Sequence, residues 1–207
     1  MTAFIISTLR GLLALALLGM ASCRQMEPWS AAAPPAPLPP TAKPPAKPGA
    51  SRPSSLFEWS GAGLSGPVAV RIDLSQQKAQ LMRGGQPAGW TYVATGTSRH
   101  PTPAGSFRIS EKQRYKRSSS WGTVVNAAGH TVDSNARNGR TSIPAGGRFV
   151  GASMPYWMRV NGAIGMHAGP IPAPGSPASH GCIRLPRGMA EILFEATVVG
   201  TPVTIVP

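Results

Sequence analysis

Acidic residues and cysteines are scarce in this 207-residue sequence: seven Asp and Glu together, and two Cys. Two cysteines exclude a disulfide-stapled scaffold and a Cys-rich zinc module. Charged residues of both signs reach only 13%, against 42% hydrophobic, which excludes a charge-rich disordered chain. No apolar run is long enough to span a bilayer comfortably; the longest, Gly11–Met20, holds about ten residues. No stretch reads as a Rossmann fingerprint set between strand and helix, none as a phosphate-cradling loop, and no internal repeat is visible. What is abundant is glycine (24) and proline (23), which disfavours a helical bundle and favours strands joined by many turns. Lys and Arg number 20, for a formal net charge of +13. That charge attracts nucleic acid, anionic lipid and acidic wall polymer alike and cannot choose among them.

Three regions differ in composition. Arg10 followed by Gly11-Leu-Leu-Ala-Leu-Ala-Leu-Leu-Gly-Met20 suits a signal-peptide core over residues 1–22. Ala21-Ser22-Cys23 then resembles a bacterial lipobox, with Cys23 as the lipidated mature N-terminus and Met20 where such motifs prefer Leu. Cleavage by the ordinary signal peptidase is the alternative. From Pro28 to Pro53, ten of 26 residues are proline. This composition cannot form helix or sheet, so residues 23–63 are expected to be an extended tether. Thirty such residues would reach roughly 90 Å. The folded domain is expected over 64–207, where 15 Lys and Arg face 5 Asp and Glu, a formal +10.

Within that domain Val68, Val70, Ile72 and Leu74 alternate with polar or small residues, the period of a half-buried strand. Lys78 to Arg83 reads as its partner, closed by Gly84-Gly85. Trp90–Gly96, Ser106–Ser110 and Trp121–Asn126 read as strands, and the polar, Gly-rich stretch 127–147 as a loop excursion. Tyr156–Val160 and Ile164–His167 form a pair around Asn161-Gly162. One helix follows Pro186, with Met189, Ile192, Leu193 and Ala196 on one face, before a last strand at Val203–Val206. The expected class is mainly β, sandwich- or barrel-like, with one or two short helices.

The chemistry concentrates in Met166-His167-Ala-Gly and Ser179-His180-Gly181-Cys182-Ile-Arg184. With Cys23 lipidated, Cys182 is left without a disulfide partner. A thiol with pKa near 8.5 is only a few per cent thiolate at neutral pH. Two imidazoles and a cationic field should favour the thiolate; a lowering of about two units corresponds to ~2.7 kcal/mol. Gly181 allows a sharp turn that aims amides at a developing oxyanion. Nucleophile, base and oxyanion donors make a cysteine acyl-transfer site. Three other readings stay open on the residues alone. Cys182 could be inert and buried with two structural histidines. His167, His180 and Cys182 could hold zinc, with His130 or Asp133 as fourth ligand. A redox thiol is weaker, for want of a Cys-x-x-Cys partner.

Ser179-His-Gly-Cys-Ile-Arg184, preceded by Met166-His-Ala-Gly169, resembles the signature of the L,D-transpeptidase catalytic domain. The resemblance covers most of 67–207 and includes Val70-Arg-Ile-Asp-Leu74, the Gly84-Gly85 hairpin, Thr102-Pro-Ala-Gly-Ser-Phe107 and Met154-Pro-Tyr-Trp-Met158. Eleven residues separate His167 from Ser179, fewer than in some branches, and Arg184 stands where those branches have Asn.

The resemblance implies that Cys182 attacks the L-centre carbonyl of the third stem-peptide residue, usually diaminopimelate, and expels D-alanine. His167 takes the thiol proton and later activates an acceptor amine, with the Ala168 carbonyl orienting its ring. Ser179 and His180 shape the thiolate pocket, and the Gly181 and Cys182 amides form the oxyanion hole. Arg184 braces the loop, meets a substrate carboxylate or forms a structural salt bridge. Tyr156 and Trp157 line the peptide cleft, at least one of them packing in the core instead. His100 and His130, absent from the motif, are expected at the surface.

No cofactor and no metal are expected. The implied partners are peptidoglycan stem peptides, a wall-anchored lipoprotein acceptor and a membrane reached through Cys23, and not nucleic acid. The expected location is the periplasm or cell envelope, and the outcome a 3→3 cross-link or attachment of a protein to the wall. With water as acceptor the same site is an L,D-carboxypeptidase or endopeptidase. A non-catalytic wall-binding lipoprotein is the reading from another class.

Overall fold

The computed structural model describes residues 55–207. The expected signal segment, the lipidation site Cys23 and most of the tether lie outside the described residues. The ordered fold begins ahead of Leu64, at strand β1 (Phe57–Trp59), which pairs with a later strand and packs Phe57 and Trp59 against the core. A three-residue strand next to a Pro- and Ser-rich stretch carries too little alternation to be seen in sequence.

The alternating segment forms β2 (Val68–Asp73), paired antiparallel with β3 (Lys78–Arg83), which pairs with β4 (Gln86–Tyr92). The β3–β4 turn needs its glycines: both have positive φ, and a Cβ on Gly84 would stand 2.2 Å from the Ser65 carbonyl oxygen. β5 (Gly105–Arg108) is the far edge of this six-stranded sheet; the last strand of the chain lies between it and β2. Val68, Val70, Ile72, Ala79 and Leu81 point inward and are buried, while Arg71 and Gln80 face solvent.

β6 (Glu111–Gln113) belongs to a second sheet. Between it and the rest of that sheet, the chain makes a three-stranded sheet from β7 (Arg117–Val125), β8 (Thr131–Arg137) and β9 (Arg148–Ser153). The expected loop over 127–147 therefore contains a strand. Both faces of β8 are mostly exposed, with Ala136 alone buried, so no hydrophobic period marks it in the sequence.

β10 (Trp157–Asn161) and β11 (Ile164–Ala168) form the expected pair, and β12 (Ile183–Leu185) adds parallel to β11. Helix α1 (Arg187–Ala196) starts after Pro186 and buries Met189, Ala190 and Leu193. Lys112 Nζ donates to the carbonyls of Phe194 and Thr197, satisfying acceptors that a helix end leaves free. β13 (Pro202–Val206) closes the first sheet, parallel to β2 and antiparallel to β5. One hydrophobic core joins the inner faces of the two larger sheets and α1: Ile72, Leu81, Met158, Met166, Ile183 and Leu193 are all at most 1% exposed. Each such side chain contributes about 1.5–3 kcal/mol by burial. The arrangement is the expected mainly β sandwich, with one α-helix and one 3₁₀ turn (Gly61–Gly63) among the described residues.

Candidate active site

Strand alternation and parallel pairing assemble the site. In β11, Met166 and Ala168 enter the core, so His167 takes the opposite face; in β12, Ile183 and Leu185 enter it, so Arg184 takes that same face, and Cys182 immediately precedes the strand. The register sets His167 beside Arg184. His167, Cys182 and Arg184 thus share one cleft wall although the sequence separates the histidine from the cysteine by a long crossover.

The turn before Cys182 is held by neutral groups. Gly181 has φ 114°, a conformation L side chains rarely adopt. Ser179 Oγ donates to the Cys182 carbonyl at 2.5 Å and accepts the Gly181 amide at 3.1 Å. Thr102 Oγ1 donates to the Gly181 carbonyl and accepts the Gly96 amide, both at 2.8 Å. Backbones cross closely here: a Cβ on Gly96 would lie 1.9 Å from the His100 carbonyl oxygen and 2.9 Å from Gly181 Cα. The Thr95 carbonyl accepts the amides of Ala178 and Ser179 at 3.0 Å each. Thr95 is itself fixed by buried Gln77, whose Oε1 accepts the Thr95 amide at 2.9 Å and whose Nε2 donates to Thr95 Oγ1 at 2.7 Å. The Gly181 amide is thus engaged by Ser179, which leaves the Cys182 amide as the member of the expected oxyanion pair with no partner among the described residues.

His167 is 7% exposed, and its Nδ1 lies 2.8 Å from the Ala168 carbonyl. A carbonyl only accepts, so Nδ1 carries the proton and Nε2 holds the lone pair of the neutral ring. Burial, assisted by the charge of Arg184 and opposed by the Ala168 bond, pulls the His167 pKa down to about 4. Burial likewise pushes the Cys182 thiol above its ordinary value; a Gly165 backbone hydrogen bond and Arg184 act the other way and lose. The expected lowering of the thiol pKa is corrected on this point. Both histidines are short of charge, His180 being lowered by burial, then by His100 and Arg184. The resting pair is a neutral thiol beside a neutral imidazole.

The cleft has two arms that meet at Cys182. The larger, about 200 Å³, is lined by Lys116, Ser119, Trp157, Arg159 and Ile164. The smaller, about 80 Å³, is lined by His167, Ser179, Arg184 and Ala152. Trp121, Met154, His180 and Cys182 border both. Trp157 lines the larger arm while its bulk is buried; Tyr156 instead turns to α1, with its ring 5.8 Å from that of Phe194. Glu111 pairs with both cations of the larger arm, Arg159 at 2.5 Å and Lys116 at 3.6 Å. Arg184 is half-buried and makes no ion pair among the described residues, so the structural salt bridge envisaged for it is not formed.

Two residues at the mouth had no assigned role in the sequence. Trp121 stacks on His180, with centroids 3.8 Å apart and planes 11° apart. His100 lies 5.2 Å from each of those rings, so it is a neighbour of the site and not a plain surface residue. Bulges around Gly122 re-aim β7 at this point, a feature with no sequence signal beyond the glycine. His130 is exposed in the β7–β8 turn. No group of three or more His, Cys, Asp or Glu is placed to share a metal ion among the described residues.

The sequence matches the L,D-transpeptidase catalytic domain model (YkuD) over residues 67–205. Among solved structures it is similar to an L,D-transpeptidase from Mycobacterium smegmatis, at 19% identity and TM-score 0.52, covering 68% of this chain and 58% of that one. It is also similar to L,D-transpeptidase 3 from Mycobacterium tuberculosis in complex with a faropenem-derived adduct, at 25% identity and TM-score 0.50, covering 68% of this chain and 60% of that one. The chain thus spans less than two thirds of the length of either. Among curated proteins, none matches.

Proposed function

Because the chain belongs to the L,D-transpeptidase catalytic domain family, we propose that it is a peptidoglycan transpeptidase working through a thioester at Cys182. The observation that carries this reading is the shared cleft wall: a half-buried, unpaired thiol and a buried imidazole with its Nδ1 committed to Ala168. As a stem-peptide carbonyl approaches, Cys182 gives its proton to His167 Nε2 and the S–C bond forms. Burial raises the thiol above its ordinary value and lowers the imidazole to about 4, so the thiolate–imidazolium pair is disfavoured in the resting site. Proton transfer is therefore coupled to attack on the carbonyl, and no standing thiolate waits for substrate. The Cys182 amide donates to the oxyanion. His167 returns the proton to the departing D-alanine as the C–N bond breaks, and the acyl group then passes to an amine acceptor.

The acceptor is an amine of a second stem peptide, giving a 3→3 cross-link, or of a protein to be attached to the wall. A formal +10 over residues 64–207 favours approach to carboxylate-bearing stems. The leader, Cys23 and the proline-rich stretch support export and tethering to a membrane that faces the wall.

Purified protein incubated with a disaccharide tetrapeptide should gain a Cys182 adduct lacking D-alanine, detected by mass spectrometry. Cys182→Ala should gain none. Faropenem or a carbapenem should acylate the wild type alone. A well-folded wild type that takes up neither reagent would overturn the reading.

A further inference from the structure

We infer that Tyr156 is a positioning residue for the base: its left-handed backbone aims the carbonyl that pins Ala168, and through Ala168 it fixes the His167 ring. The acyl-transfer reading above supplies what the ring does; the inference adds what aims it. Among the described residues only Gln77 and Tyr156 have positive φ without being glycine, at 51° and 57°. A bulky side chain rarely takes that conformation, and the surroundings must impose it. Gln77 stands beneath the turn of the nucleophile, acting through Thr95. Tyr156 holds the corresponding place behind the base.

The peptide group between Pro155 and Tyr156 is used at both ends. Its N–H donates to the Arg114 carbonyl at 2.9 Å, and its C=O accepts the Ala168 amide at 2.8 Å. The Ala168 carbonyl in turn accepts from His167 Nδ1 at 2.8 Å. Ala168 is thus pinned at its amide, and its carbonyl faces the ring. With Trp157 fixed at the start of β10, the φ of Tyr156 decides where the Pro155–Tyr156 peptide points. An extended residue there would turn that peptide by roughly half a revolution and take the Pro155 carbonyl away from Ala168.

Contacts of the Tyr156 ring offset the unfavourable φ. The residue is 8% exposed, and its ring lies 5.8 Å from that of Phe194. The guanidinium carbons of Arg114 and Arg187 stand 5.8 and 5.6 Å from its centre. Helix α1 therefore supports the imidazole through Tyr156. The tautomer of a neutral imidazole follows the bond that one of its nitrogens makes. Releasing Ala168 would let the proton divide between Nδ1 and Nε2, which removes the lone pair that takes the thiol proton.

The test compares Tyr156→Gly, Tyr156→Asn, Tyr156→Ala and Tyr156→Val. Gly and Asn enter the left-handed region most readily and Val least, whereas Val keeps more side-chain packing than Gly. Two readouts are taken on isotopically labelled protein whose fold is checked by circular dichroism. NMR near neutral pH locates the proton on the His167 nitrogens, assigned by their loss in His167→Gln, and intact mass follows acylation of Cys182. The proton should stay on Nδ1 in the wild type, Tyr156→Gly and Tyr156→Asn, and be shared between both nitrogens in Tyr156→Val. Acylation should fall by roughly a hundredfold in Tyr156→Val, the scale of a misplacement of about 1 Å, and by less than about tenfold in Tyr156→Gly. If Tyr156→Val does not fold, Tyr156→Asn above Tyr156→Ala in both readouts carries the same comparison. Equal behaviour of Tyr156→Gly and Tyr156→Val would overturn the inference, as would a proton that stays on Nδ1 in every folded variant. The NMR readout needs no substrate. A wild type never acylated at Cys182 would therefore remove the acyl-transfer reading, while the proton alone would still decide for or against Tyr156.

Discussion

The two larger sheets and the three-stranded sheet are built differently. The former bury their inner faces in one core, with Ile72, Met158, Ile183 and Leu193 excluded from solvent. The latter is mostly exposed, is bulged along β7, and exposes Val132 to 55%. Reactive groups sit on the well-packed side: His167 lies in β11, Arg184 in β12, and Cys182 immediately before β12. The thinner sheet contributes Trp121, Ala152 and the serines at 118–120, which border the space that a substrate would fill. Rigid packing thus positions the atoms that react, and a lightly anchored sheet shapes what surrounds them.

The largest expected effect separates chemistry from surroundings. His167→Gln should slow acylation of Cys182 by about 10²–10⁴-fold, the range lost with a general base, as measured by intact-mass kinetics with a tetrapeptide. A loss below tenfold would mean that the thiol is activated without this ring. Next comes the contrast in packing. Leu193→Ala should cost about 2–5 kcal/mol of stability, whereas Val132→Ala in β8 should stay within about 0.5 kcal/mol by denaturant titration. Comparable losses at both sites would erase the distinction drawn between the two regions.

Acid supplies a third handle. His167 is held neutral with its pKa depressed from 6.5 to about 4, so the unfolded chain binds the extra proton first as pH falls. Its contribution is therefore complete above about pH 6.5 and disappears between there and pH 4, worth about 3 kcal/mol in all. Denaturant titrations across that window should show the loss, and His167→Gln should flatten it. The acid limb of acylation should lie near pH 4; a midpoint at 6.5 would contradict the burial argument. The smallest expected effect concerns the stack. Trp121→Leu should change global stability by less than about 1 kcal/mol, while NMR titration should show the His180 pKa moving back toward its ordinary value as cover is removed. An unmoved His180 would show that the indole does not shield it.

Legibility in the sequence followed the same division. Strands β2, β3, β10 and β11 and helix α1 were readable because one buried face imposes a period on adjacent residues. β1, β8 and β9 were not, since short or two-sided exposed strands impose none. Cys182 and His167 stand out as candidates by local spacing, and the Ala168 carbonyl only through the family resemblance. Trp121, His100 and Gln77 were not, because their importance lies in contacts across 18 or more positions of chain, such as Gln77 to Thr95. The direction of the thiol shift is not legible for a related reason: neighbours in sequence advertise charge, but the depth of burial that outweighs it exists only after the sheets close.

The support beneath the nucleophile has a consequence of its own. Gln77, Thr95, Thr102 and Ser179 are amides and hydroxyls, with no proton to trade over the range in which carboxylates, imidazoles and thiols ionise. Acid that protonates His167 can therefore silence the sulfur while the hydrogen bonds of this cradle, which carry no titrating group, are left as they are. Aim and ignition are wired separately in this domain.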